Sequence, residues 1–322
     1  MKLPFYMLTL GIWLLSCLPA VAQHADFPRD TSYNPQAALR QIQKKYPETS
    51  LVRPALPKGI SAKTDWVYHQ EGDRALHADV FYPHKRNKKG YPGVLMIHGG
   101  GWASGTRSHQ VPMAQQLAAR GYVTVAVEYR LSPEAVYPAG VYDLKTAVRW
   151  MKANARKFGL DTTRIASLGC SAGAQLAALL GTTNGITKFE GQEDYPGYSS
   201  DIHAVINIDG IVSFVHPEAA PEKSGGAAKR WLGPYESNTE KWKEASPLEY
   251  AGNGTPPFLF VNSSIPRFHA GRDDLIRILD SHGIYSEVHT LDNSPHSFWL
   301  VNPWFDPTLN LVADFLGKVF GK

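Results

Sequence analysis

Cysteine is nearly missing from this chain, with only Cys17 and Cys170 among 322 residues. Cys17 falls in a segment that reads as a removable leader, so the remaining protein can form no intramolecular disulfide and must be held by its core. Long runs of one charge are missing too. The 33 basic and 29 acidic residues give a net charge of +4 and are interspersed, which excludes a nucleic-acid-binding stripe. No apolar stretch reaches the roughly 20 residues needed to span a bilayer, so a transmembrane segment is not expected. The histidines show neither an HExxH motif nor paired ligand spacing, and the sequence calls for no metal and no cofactor. No internal repeat is visible.

What is present is a chain 43% hydrophobic and 19% charged, the balance of one large globular domain. Lys2, the apolar run Leu3 to Leu15 and the small-residue triplet Ala20-Val21-Ala22 read as a secretory signal peptide over 1–22, with the mature chain starting near Gln23. Cys17 after Leu14-Leu15-Ser16 offers a second reading, a lipidated cysteine. Both export the protein from the cytoplasm. Residues 23–60 are rich in Pro, Gln and Lys and read as an N-terminal arm with one short helix over Asn34 to Lys45, leaving 61–322 as the main domain.

Strand signals begin at Thr64. Leu76, Ala78, Val80 and Tyr82 alternate with His77, Asp79 and Phe81, as in a half-buried antiparallel strand. The runs Val94–Ile97, Val123–Val127, Ile165–Leu168, Ala204–Ile208 and Phe258–Val261 lack alternation, the mark of strands covered on both faces. Helix-period segments lie between them, clearest in Leu144, Ala147, Val148, Met151 and Ala155, and in Ala172 to Leu180. Alternating strand and helix predict an α/β fold with a doubly wound, mostly parallel sheet. The Gly-, Pro- and aromatic-containing stretch Ser213 to Pro257 reads as a small cap-like excursion over one sheet edge.

Three motifs carry chemistry. Gly169-Cys170-Ser171-Ala172-Gly173 follows a strand and opens a helix, so Ser171 is expected on a tight turn that lifts its hydroxyl above the sheet as a nucleophile. His98-Gly99-Gly100-Gly101-Trp102 follows an earlier strand. There the amides of Gly100 and Gly101, with that of Ala172, are free to form an oxyanion hole. A phosphate-binding loop is the weaker reading, since neither a lysine nor a helix start follows. His296, in Ser294-Pro-His-Ser-Phe298 after the strand expected over Ser286 to Leu291, is one of 12 histidines but stands in the loop position of a general base.

At these residues the chain resembles α/β-hydrolases of the hormone-sensitive-lipase and bacterial carbohydrate-esterase type, from about Thr64 to the C-terminus. The matches are HGGGW, Tyr129-Arg-Leu-Ser-Pro-Glu134, Tyr137-Pro-Ala139 before Asp143, Asp161 before Arg164-Ile165, GCSAG, and PHSF around His296. The resemblance implies a serine esterase, with Asp143 structural. In that family the triad acid stands just past the strand that here is Phe258 to Val261, in a pattern like His-Gly-x-x-Asp. This chain reads Asn262-Ser-Ser-Ile-Pro-Arg267 and has no carboxylate there. Asp209 is the expected replacement: it closes the preceding apolar strand, where a carboxylate is costly without a partner, and pancreatic-type lipases carry their acid after that strand. Asp273 and Asp274 are the alternative, though they fall where a helix start is an ordinary place for Asp.

Export and the resemblance together imply ester substrates, acetyl or similar groups on plant polysaccharide sugars, cleaved through an acyl-enzyme. Trp102 is expected to line the substrate cleft, with Phe298, Trp299 and Trp304 as further rings; Arg267 and His269 could face a uronic-acid carboxylate. A lipase or general short-chain carboxylesterase shares every one of these motifs. A non-catalytic binding protein on the same scaffold is disfavoured because both Ser171 and His296 stand in their motifs.

Overall fold

In the computed structural model the residues described are 27–28, 30–191, 194–219 and 226–321. The expected signal peptide over 1–22, Cys17 and the cleavage point near Gln23 lie outside them. Among the described residues, no helix is long and apolar enough to cross a membrane.

The strands are β1 (Ser50–Leu51), β2 (Ile60–Glu71), β3 (Arg74–Pro83), β4 (Tyr91–Ile97), β5 (Val123–Val127), β6 (Leu160–Cys170), β7 (Ala204–Ile208), β8 (Phe258–Asn262), β9 (Ser286–Thr290) and β10 (Val301–Asn302). Eight of them form one sheet in the order β2-β3-β5-β4-β6-β7-β8-β9. From β5 to β9 every neighbouring pair is parallel, while β2 with β3 and β3 with β5 are antiparallel. The apolar runs become the parallel strands for a simple reason. Successive side chains point to opposite faces, and both faces are covered. Leu95 and Ile97 of β4 join one core cluster, and Val94 and Met96 join the other.

The helices are α1 (Pro35–Gln43), α2 (Val111–Ala119), α3 (Ala139–Ala153), α4 (Ala155–Phe158), α5 (Ala172–Thr182), α6 (Gly226–Leu232), α7 (Tyr235–Glu244), α8 (Arg272–Ser281) and α9 (Phe305–Phe320). Residues of α3, α5 and α8 bury into the first cluster, and those of α1, α2 and α9 into the second. The helical period read through Ala155 breaks at Asn154, whose side-chain amide donates to the Trp150 carbonyl at 3.0 Å and separates α3 from α4. β3 is antiparallel as expected but more than half-buried. It lies inside the sheet, with β2 on its outer side.

The N-terminal arm is tied down at several points. Asn34 caps α1 by accepting the Ala37 N–H at 3.0 Å, with Pro35 in the first turn. Ala38 and Ile42 enter the second cluster, and β1 pairs with β10. Before α1, the backbone N–H of Tyr33 donates to Ser104 Oγ (3.0 Å), and its hydroxyl meets Ser297 Oγ at 3.0 Å. One arm residue thus bridges the glycine loop and the histidine loop.

The turn between β6 and α5 leaves no room at Gly173, where a Cβ would lie 2.3 Å from the Ile97 carbonyl oxygen and 2.6 Å from that of His98. Gly173→Ala must push strand or helix apart and is expected to lose at least about 3 kcal/mol of stability in urea unfolding. Gly252→Ala, where a Cβ would meet nothing within 4 Å, serves as the control and should stay within about 0.5 kcal/mol of wild type. Equal midpoints for the two variants would contradict this account of the turn.

Candidate active site

Ser171 occupies the turn itself. Its backbone has φ 55° and ψ −122°, a sparsely populated region for a residue with a side chain, and such strain persists only where the surroundings over-determine it. They do so here: the Ser171 N–H donates to the Ile208 carbonyl at 2.9 Å, and the Ser171 carbonyl accepts from Ala174 and Gln175 in the first turn of α5. The serine therefore sits at the positive end of an 11-residue helix.

His296 arrives on the loop after β9, with Nε2 at 2.9 Å from Ser171 Oγ. Its Nδ1 lies 2.6 Å from Asp209 Oδ2. A carboxylate can only accept, so Nδ1 carries a hydrogen and the neutral ring's Nε2 is the acceptor facing the serine hydroxyl. Asp209 is fully buried at the end of β7, held at φ 55° by its N–H to the Val261 carbonyl (2.9 Å). Its second oxygen, Oδ1, accepts the Ser263 N–H at 2.8 Å. Burial alone would raise this carboxyl, but the nearby His269 ring and the hydrogen bond with His296 hold it down at about 2. It stays a carboxylate at working pH.

Asp273 and Asp274 stand elsewhere. Both lie in the first turn of α8, where Asp273 Oδ1 accepts from Arg272 Nε at 2.8 Å and Asp274 pairs with Arg277 and with His216.

The glycine loop lies against the serine. A Cβ on Gly99 would come within 3.1 Å of Ser171 Cβ, and one on Gly100 within 2.1 Å of the Ser104 carbonyl oxygen. Gly100, Gly101 and Trp102 all have positive φ, which turns successive peptides and frees their amides from regular pairing. Among the described residues no backbone partner is recorded for the N–H groups of Gly100 and Gly101, and that of Ala172, first in its helix, has none within α5. His98 anchors the loop's start: its ring stacks on Tyr129, Nδ1 donates to the Gly99 carbonyl at 2.8 Å, and its own carbonyl accepts the Tyr129 hydroxyl.

Residues 78–287 match the BD-FAE family, more than half of the chain. The chain belongs to the BD-FAE family. Among curated proteins it is similar to Esterase LipC of Mycobacterium tuberculosis, 28% identical over 267 residues that make up 77% of this chain and 63% of LipC. The chain thus spans less than two thirds of that relative. Among solved structures it resembles a truncated carbohydrate esterase from gut microbiota, with TM-score 0.68, 21% identity and coverage of 84% of this chain and 99% of that one. It also resembles butyrate-bound Est2, an esterase of Thermogutta terrifontis, with TM-score 0.66, 23% identity and coverage of 81% and 95%. The fold is the doubly wound α/β-hydrolase sheet that the motifs implied.

In this BD-FAE chain the aromatic residues near the site pack largely within the protein. Trp102 is 9% exposed: its indole stacks on Trp231 of α6 at 5.2 Å, and its N–H donates to Gln175 Oε1 at 2.8 Å. Ring face and polar tip are both engaged within the protein, so Trp102 braces the glycine loop against the cap-like excursion. Phe298 and Trp299 are core residues of the second cluster, with Trp299 edge-on to His296, and Trp304 packs on Tyr46. Arg267 is exposed with its guanidinium over Phe268, whereas His269 turns inward toward Asp209 and cannot also face solvent with that nitrogen. Asp143 binds Arg130 through both carboxylate oxygens and braces the loop after β5.

Three contributors escaped the sequence reading. Gln175 ties the excursion to α5 through the Ala245 carbonyl (2.8 Å), Tyr33 bridges two loops, and Phe268 stacks on the His296 ring at 3.6 Å between centroids. None of the three stands in a recognisable motif; their roles follow from what the fold brings near.

Two buried histidines beside the site make stability depend on pH. Burial pushes His98 down to about 3 and His109 down to about 4, from 6.5. Because the unfolded chain binds these protons first, stability is full above pH 6.5 and falls as pH drops from there toward 4 and 3, by up to about 1.4 kcal/mol per pH unit for each histidine. Urea midpoints between pH 7 and 4.5 should show this, with a shallower fall in His109→Phe; parallel slopes would count against it.

Proposed function

We propose that this chain is an exported serine esterase that cleaves carboxylic esters through an acyl-enzyme on Ser171. The observation that carries the reading is the continuous relay from Ser171 Oγ to His296 Nε2 (2.9 Å) and from His296 Nδ1 to Asp209 Oδ2 (2.6 Å). Ser171 Oγ attacks the ester carbonyl as its proton passes to Nε2. The carbonyl oxygen, now negative, is received by the amides of Gly100, Gly101 and Ala172, each worth roughly 3 kcal/mol of barrier. The imidazolium that forms is stabilised by Asp209 and returns the proton to the departing alcohol oxygen. A water then repeats the sequence: it attacks the acyl carbon, His296 takes its proton and gives it to Ser171 Oγ, and the carboxylic acid leaves. All these groups are supplied by the chain.

The substrate reading is acetyl or similar short acyl groups on plant polysaccharide sugars. It is supported by the carbohydrate esterase among the structural neighbours, and by the leader-like residues 1–22, since an extracellular polymer requires an exported enzyme. A general short-chain carboxylesterase is the second reading, favoured by the butyrate-bound esterase of the same fold.

Acetate, methanol and ferulate release from plant polysaccharides, run beside p-nitrophenyl acetate and p-nitrophenyl butyrate, separates these readings. Acetate release from polymer at rates comparable to the small ester supports the first, and activity on p-nitrophenyl esters alone supports the second. Ser171→Ala should abolish turnover in both. Asp209→Asn should lower kcat by about 10⁴, because the amide holds the wrong imidazole tautomer. Asp273→Asn, exposed and paired with Arg272, should stay within twofold of wild type. A fully active Asp209→Asn would remove Asp209 from the mechanism.

A further inference from the structure

The loop from Asn262 to Gly271 contains no carboxylate, yet it packs on two members of the relay. Its backbone reaches Asp209 first, through the Ser263 N–H at 2.8 Å from Oδ1. His269 follows, with Nε2 at 3.1 Å from the Ser263 carbonyl and 3.7 Å from the same Oδ1. A carbonyl can only accept, so Nε2 carries a hydrogen and donates it to Ser263, leaving Oδ1 as a close electrostatic neighbour. The residue before it, Phe268, lies flat on the His296 ring, with 9° between the planes. One dipeptide therefore contacts both the acid and the base.

We propose that His269 is a positioning residue for the reaction above, fixing the Ser263 peptide that binds Asp209 Oδ1 so that Oδ2 stays aimed at His296 Nδ1. The proposal rests on Asp209 being the acid. The physical need is plain. A fully buried carboxylate has about four acceptor positions, and one oxygen must serve His296 alone. If the Ser263 peptide were free to shift, the carboxylate plane could rotate with it and lengthen the 2.6 Å bond that keeps the imidazole in its working tautomer. His269 opposes that rotation by holding the Ser263 carbonyl at 3.1 Å, with its N–H edge also 3.7 Å from Oδ1.

The support is itself anchored. His269 ends the short turn Pro266–His269, and the next carbonyl, that of Ala270, accepts the N–H groups of Val212 and Ser213, which follow Asp209 in the chain. The Gly271 N–H donates to Glu218 Oε2 at 3.1 Å. Movement of the loop is thereby coupled to movement of the acid. The histidine side chain is 14% exposed, so it is not placed to meet substrate broadly.

The test measures kcat and KM on p-nitrophenyl acetate together with the rate at which a fluorophosphonate labels Ser171, which reports nucleophile activation without a cognate substrate. His269→Leu should lower kcat and the labelling rate 10- to 50-fold with KM within twofold. His269→Gln, whose amide N–H reaches the place of Nε2, should keep at least a third of wild-type kcat. His269→Asn is as polar but too short and should behave like Leu; this pair decides the matter if the Leu variant fails to fold. Adding His269→Leu to Asp209→Asn should slow labelling no further, because the residue acts through the acid. Wild-type kcat in His269→Leu, equal kcat in Gln and Asn, or a full additional loss on the Asp209→Asn background would each overturn the proposal. A fully active Asp209→Asn would instead overturn the assignment of the acid, whatever His269 does.

Discussion

A buried negative charge at the end of β7 organises this site. Asp209 has no access to water, and an unpaired carboxylate there would be far too costly to keep, so the surroundings must supply donors. They come from two separate parts of the chain: His296 after β9 and Ser263 just past β8, whose peptide is held in turn by His269 of the same loop. Satisfying one carboxylate therefore fixes the relative positions of two loops. It also explains the left-handed backbone at Asp209, which is retained where packing and hydrogen bonds on every side leave no alternative.

The parallel sheet makes that convergence available. β4, β6, β7, β8 and β9 are mutually parallel in sequence along the sheet, so the loops leaving their C-terminal ends all emerge on one edge. The glycine loop, the serine turn, Asp209 and His296 each leave from such an end. Three non-glycine residues with positive φ, Trp102, Ser171 and Asp209, lie at that edge. Core clusters on both faces of the sheet hold these residues in place. Cys170, beside the serine, belongs to one of these clusters: burial raises its thiol to about 12 and leaves it inert.

Large aromatic residues near the site brace it. Trp102, Trp231 and Phe214 pack together where the cap-like excursion meets the glycine loop, and Gln175 connects the same loop to α5 and the excursion. Tyr33 does the equivalent on the other side by linking Ser104 and Ser297. Together these contacts hold the glycine loop and the histidine loop in place from both sides.

The sequence by itself determined the alternation of strand and helix, the serine turn, the glycine loop and the histidine loop, because each depends on local chemistry: apolar periodicity, glycines where side chains would collide, and residues at fixed offsets from strand ends. It narrowed the acid to Asp209 or the Asp273–Asp274 pair, since a lone Asp closing an apolar strand is conspicuous. Tertiary structure alone decided which carboxylate meets His296, that Trp102 faces inward, and that Phe268, His269, Gln175 and Tyr33 take part. These contacts join residues far apart in the chain, up to 264 positions for Tyr33 and Ser297, and no local pattern encodes a distance that only the folded sheet creates.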